Sequence, residues 1–222
     1  RCLRNIPNVI ACSRDIARRH QSVGLNTDVV ENGVDLSLGQ NIPNSLKKRV
    51  VRTELGLPQN RNIFITAGPF IKRKSLKYLI NTFSKLETSD APHLCLLGDG
   101  PMMRECHRIA KGQPNIFFRG WVKDIAPYLI AGDAYVSASR SEGLPNAVLE
   151  ALSWGLPVYL SDIPSHQDIL GNRPDAGHLF SLQDSEQLLT LLKSFSPSVC
   201  ASTAARHIVT KRLNASRMSF DY

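Results

Sequence analysis

The sequence predicts an α/β protein with a doubly wound parallel sheet, and three observations carry the prediction. From Asn62 onward, short apolar runs alternate with stretches whose apolar residues recur at helical spacing, as strand–helix–strand units require. Glycines follow several of the apolar runs, at Gly68, Gly98 and Gly120. Finally, Ala134–Ala138, an acidic Gly/Pro loop, a helix closed by Gly155 and Pro157–Leu160 form one strand–loop–helix–strand unit.

In chain order, Val9–Ser13 reads as a short strand and Arg14 to Val23 as a helix stopped by Gly24. Val29–Glu31 then enters a turn at Asn32-Gly33. Residues 36–61 are polar and basic, with a helix over Ser45 to Leu55. Ile63–Thr66 is a strand, and Leu76, Leu79, Ile80 and Phe83 repeat at helical spacing. Strands at Leu94–Leu97 and Ile116–Phe118 alternate with helices at Met102–Ala110 and Ile125–Ile130. After the acidic unit come a helix near Ser165–Leu170, a strand at His178–Phe180 and a helix over Glu186–Phe195. The tail reads as a basic helix over Ala201–Leu213 with fraying last residues.

Composition narrows the function. The chain has 222 residues, 42% hydrophobic and 21% charged, with no run near the ~18 apolar residues of a membrane span. The five cysteines are scattered without a Cys-x-x-Cys pair, which reads as reduced thiols in a cytoplasmic protein. A net charge of +8 admits nucleic acid, an anionic membrane surface or phosphorylated substrates as partners. No zinc-finger spacing or aromatic stacking pattern supports nucleic acid, and no His/Asp/Glu/Cys set has metal spacing.

The chemistry concentrates between Ser141 and Leu152. Glu142 stands in the loop and Glu150 eight residues later on the helix, with Asn146 read as the helix N-cap. A helix N-terminus attracts phosphate through its free N–H groups and dipole, and loops after strand ends are where open α/β sheets bind ligands. Two carboxylates flanking such an end fit a ligand with hydroxyls on both sides of a phosphate, as a nucleotide sugar has.

The run from Asn115 to Leu170 resembles the C-terminal domain of the family 4 retaining glycosyltransferases, which have the GT-B fold. Glu142, Glu150, Ala151, Gly155, Pro157 and Val158 carry the signature. Five further pieces fall in the family's order: Asn32-Gly33-Val34-Asp35, Thr66-Ala67-Gly68 with Lys74, Leu97 to Pro101, Phe118-Arg119-Gly120-Trp121, and Ser161 to Pro164. The resemblance covers roughly residues 29–195. It implies a Rossmann-like domain over 36–195, one half of a GT-B enzyme. Residues 1–35 are then the remnant of an N-terminal domain with the junction, and 196–222 a helical tail.

Each role that follows is implied by the resemblance. Glu150 accepts hydrogen bonds from the ribose hydroxyls, and Glu142 meets the donor sugar. Gly68, Gly143, Leu144, Pro145 and Asn146 bring backbone to the diphosphate or sugar. Lys74 neutralises the leaving diphosphate, and Arg119 and Gly120 lie beside the base. The donor is a UDP- or GDP-sugar used without a metal, and a sugar or lipid-linked acceptor is held by the missing N-terminal half. Two positions depart from the pattern. Pro69 stands where the family has Arg, and Ser75 where it has Gly; Lys72 or Arg73 is the substitute phosphate ligand. Trp121 reads as core or interface, and Ser165-His166 as a helix start with a solvated imidazole. Two other readings stay open: a non-catalytic nucleotide- or sugar-binding module, and a GT-B epimerase.

Overall fold

The computed structural model of the chain describes residues 9–37, 43–86, 91–171 and 173–221; Cys2 lies outside them. Two short strands open the fold, Ile10–Ala11 (β1) and Asp28–Val29 (β2), paired in parallel across the helix Arg14–Ser22 (α1). Ser13 caps that helix by accepting from the Ile16 amide, and Val23 and Gly24, the latter at φ 78°, end it. The helix Ser45–Glu54 (α2) is capped by the Asn44 side chain on the Lys47 amide.

The main sheet follows. Its strands are Ile63–Ala67 (β3), His93–Leu97 (β4), Ile116–Phe118 (β5), Ala134–Ser137 (β6), Val158–Ser161 (β7) and Gly177–Phe180 (β8). Between and after them run Leu76–Ser84 (α3), Met103–Ile109 (α4), Ala126–Ala131 (α5), Asn146–Ser153 (α6), Pro164–Leu170 (α7), Ser185–Lys193 (α8), Val199–Lys211 (α9) and Ala215–Asp221 (α10). All neighbours are parallel, in the order β5-β4-β3-β6-β7-β8. The order reverses between β3 and β6, so the crevice outside their carboxyl ends is the ligand position of an open α/β sheet.

Both sheet faces are apolar, because period-two alternation delivers buried residues to each side. Ile63, Ile65, Cys95, Leu97, Tyr135, Val158 and Leu160 face α5, α6, α7 and α9. Phe64, Leu94, Leu96, Val136 and Tyr159 face α3, α4 and α8. Phe64 anchors the second face, edge-on to Phe83 at 5.7 Å, Tyr159 at 5.2 Å and Phe195 at 4.8 Å. Packing of this kind makes Phe64→Ala worth roughly 3–5 kcal/mol.

The segment after β2 meets the segment after α9. Arg212, after α9, grips Glu31 through both carboxylate oxygens and donates to the Asp168 carbonyl at 2.7 Å. Val34 bridges Asn214 in parallel, and a Cβ on Gly33 would lie 2.2 Å from the Asn214 backbone. The tail is helical beyond the one helix located from sequence. Asn214 accepts from the Arg217 amide at 3.0 Å and starts α10, which runs to Asp221.

Candidate functional site

A cleft of about 640 Å³ opens at the crevice between β3 and β6. Its walls come from four loops. Gly68 and Pro69 follow β3, Gly98 and Asp99 follow β4, Trp121 to Ala126 follow β5, and Asn146, Ala147 and Glu150 begin α6. The glycines let the backbones stack. Gly98, at φ 130°, donates to the Gly120 carbonyl at 2.6 Å, and a Cβ there would sit 2.0 Å from the Gly68 oxygen. Gly-Asp-Gly is therefore a packing requirement of the loop stack.

Glu150 is half-buried on the cleft side of α6, and among the described residues its carboxylate makes no hydrogen bond or ion pair. Burial, then the charge of Asp124, pushes it above the ordinary carboxylate range. Glu142 is its opposite. One oxygen accepts from Lys74 Nζ at 2.7 Å, the other from Arg73 Nη1 at 2.5 Å, and the side chain is 8% exposed. Burial pushes Glu142 up, but Lys74, Ser139 and Arg73 outweigh it and hold the carboxyl below its ordinary value. Arg73 also donates to the Ser141 carbonyl. The 3-10 turn Lys72–Lys74 and the acidic loop are thus tied together, and the Lys74 stem lies over Gly68.

Other expected residues are placed differently. Asn146 is the first residue of α6 and Pro145 occupies the cap position; the Asn146 side chain instead accepts from Asn32 Nδ2 at 3.3 Å. With no side-chain cap, the amides of Asn146 and Ala147 have no backbone partner among the described residues, and both residues line the cleft. Leu144 and Pro145 are buried, Leu144 in the core beneath the loop. Gly143 makes room for Cys12, whose Sγ would lie 3.3 Å from an added Cβ. Arg119 turns away from the cleft. Its guanidinium donates to the Leu55 and Gly56 carbonyls at 2.8 and 3.3 Å and packs over Phe117. Gly120 stays in the loop stack at φ 66°.

Ser165 and His166 are the largest correction. Both are fully buried. His166 Nδ1 donates to the Ser161 carbonyl at 2.8 Å, and burial pushes the imidazole down to about 4. Among the described residues, its Nε2 and the Ser165 hydroxyl have no hydrogen-bond partner. The helix start stands, since α7 begins at Pro164, but the solvated imidazole does not, because β7 turns directly under the acidic loop, where Ser161 bonds the Ser139 carbonyl. Trp121 is 73% exposed at the cleft mouth and Trp154 lines the wall. The signal for Trp121 was its place after Gly120 in a strand-end loop. No group of three or more His, Cys, Asp or Glu among the described residues could hold a metal ion.

The model of the family described as "Glycosyl transferases group 1" matches residues 61–195, which span β3 through α8 and include every wall of the cleft except Val34. The chain belongs to the group 1 glycosyltransferases. Among family relatives, the Escherichia coli UDP-Gal:alpha-D-GlcNAc-diphosphoundecaprenol alpha-1,3-galactosyltransferase is 30% identical over 177 residues, 76% of this chain and 44% of its own length. The Rhizobium meliloti lipopolysaccharide core biosynthesis glycosyltransferase LpsE is 33% identical over 112 residues, 49% of this chain and 32% of its own. The chain thus spans less than half the length of these relatives. Among solved structures, Anabaena Alr3699/HepE in complex with UDP and glucose superposes at a TM-score of 0.84 with 19% identity, over 96% of this chain and 61% of that one. Sucrose-phosphate synthase from Thermosynechococcus elongatus gives 0.81 with 20% identity, over 98% and 57%. These likenesses show the fold, that of the GT-B glycosyltransferases.

Proposed function

We propose that this chain is the donor-binding half of a retaining glycosyltransferase that takes a UDP- or GDP-sugar without a metal. The observation that carries the reading is the division of labour between the two carboxylates. Glu150 waits unpartnered on one side of the α6 N-terminus, while Glu142 holds two cations on the other. Glu150 accepts from the ribose hydroxyls, where charge-assisted bonds are the strong kind. The free α6 amides, Lys74 and Arg73 meet the diphosphate. As the diphosphate draws these cations, Glu142 is released to accept from the donor sugar and to oppose positive charge at the anomeric carbon.

In the transfer, the bond from the anomeric carbon to the diphosphate oxygen breaks and the acceptor oxygen bonds on the same face. The acceptor proton passes to the departing phosphate oxygen. The acceptor, a sugar or lipid-linked sugar, is held by an N-terminal half of which residues 1–35 are the end, and an anionic membrane surface suits the net charge of +8. The Arg73–Glu142 contact supports Arg73 as the cation that answers for Pro69. In a longer chain carrying the acceptor half, product analysis by NMR should show the donor's anomeric configuration kept, and Glu142→Gln should lower kcat by 10²-fold or more. An inverted product, or full activity in the variant, contradicts the assignment.

Pro69 in the cleft wall favours one second reading, a nucleotide-binding module that no longer transfers. In that case the longer chain binds nucleotide sugar without turnover, and Pro69→Arg leaves it inactive.

A further inference from the structure

The turn Lys72–Lys74 has a second side. Sharing no lining residue with the cleft, a cavity of about 460 Å³ lies between α3 and α4. Its rim carries Lys72, Lys77 and Arg140 against one carboxylate, Glu105, together with Arg73, whose guanidinium turns to Glu142 of the donor site. The backbone gathers these charges. Arg140 N donates to the Arg73 carbonyl at 2.9 Å, and Arg140 Nε donates to Ser75 Oγ at 3.1 Å. Ser75 is left-handed at φ 48°, which folds the turn sharply into α3. The Leu76 and Lys77 amides at the start of that helix have no backbone partner among the described residues.

Lys72 and Arg140 have no carboxylate within ion-pair distance among the described residues, while the Lys77–Glu105 pair at 2.6 Å is solvent-exposed and so readily exchanged. Lys72, Lys77 and Arg140 gather like, mutually repelling charge on one rim, and neither Lys72, the other cation considered in place of the missing Arg at position 69, nor Arg140 lines the donor cleft. A bound anion turns that repulsion into attraction, and arginine forks match phosphate oxygens. The apolar floor, with Leu76 and Met102, suits an organic group attached to the phosphate. We infer that this cavity binds a phosphate-bearing group, a monoester or diphosphate separate from that of the donor.

The test uses the full chain with UDP at saturation, so that the cleft is filled. Inorganic pyrophosphate and glycerol 3-phosphate are titrated calorimetrically, and vesicles of phosphatidylcholine with or without phosphatidic acid are co-sedimented. At least one phosphate probe should bind, and the double variant Lys72→Ala/Arg140→Ala should bind it at least tenfold more weakly with UDP affinity and circular dichroism unchanged. The responding arm tells a soluble phosphate from a lipid-borne one. If circular dichroism changes, Lys72→Gln/Arg140→Gln replaces the alanine pair. Absence of binding by every probe, or equal binding by the double variant, overturns the inference. Should UDP itself fail to bind, the titration is repeated without it. A response that still depends on Lys72 and Arg140 then upholds the cavity while the donor-site reading falls.

Discussion

Glu142 and Glu150 stand eight residues apart and are pushed in opposite directions, Glu142 below the ordinary range by Lys74, Ser139 and Arg73 against burial, and Glu150 above it by burial and Asp124. In the proposed role, Glu150 accepts from the ribose hydroxyls more strongly when ionised. Acid should therefore weaken nucleotide binding at a higher pH than an ordinary glutamate would, and Glu150→Gln should remove that part of the dependence. UDP affinity measured against pH in both proteins checks this. His166 predicts a stability effect. Its folded value, about 4 against an ordinary 6.5, means that the unfolded chain binds the proton more readily. The stability it contributes is complete above pH 6.5 and is lost as pH falls toward 4, by about 3 kcal/mol at most. Urea midpoints of the wild type and His166→Asn, compared over that window, should differ in slope; parallel curves would remove His166 from the account.

At the scale of elements, short local devices aim the site loops. Ser75 holds a left-handed conformation that glycine adopts freely, and most L-residues resist it by about 1–2 kcal/mol. Ser75→Gly should raise stability by about 0.5–1 kcal/mol after the extra freedom of glycine in the unfolded chain is counted. Ser75→Val should lower it by at least as much; thermal melts decide. Asp133 clamps α2 to the sheet. One oxygen accepts from Lys48 at 2.8 Å, the other from Arg52 at 2.5 Å and from the Ile63 amide at 2.7 Å. Arg52 and the Asp133 side chain are both buried, so Asp133→Ala leaves a buried cation unpaired and should remove roughly 3–5 kcal/mol. Denaturant unfolding of that variant measures it.

Across the whole molecule, the strands inside the parallel sheet are legible as apolar runs, because burial on both faces writes a strand as a continuous hydrophobic stretch, while the edge strand β8, with His178 exposed, is legible only as a short strand. That Lys74 and Glu142 meet in loops after strands, with Glu150 on the helix that follows, was also legible; their roles belong to the proposal. What stayed hidden depends on partners far along the chain. Glu31 meets Arg212 across 181 positions, Gly143 meets Cys12, and Arg119 turns to the end of α2. His166 looked polar and exposed because no local pattern places the acidic loop above β7. Both tryptophans of the sequence line the cleft, so nucleotide binding should change the intrinsic fluorescence, and Trp121→Phe should remove much of that change. The most direct measurement of the central claim is calorimetric titration of the chain with UDP, GDP and their sugar conjugates, beside Glu150→Ala. Saturable binding to one base, weakened about 10- to 100-fold in the variant, is the predicted result. A folded chain that binds none of them, or a variant that binds as tightly as the wild type, would contradict it.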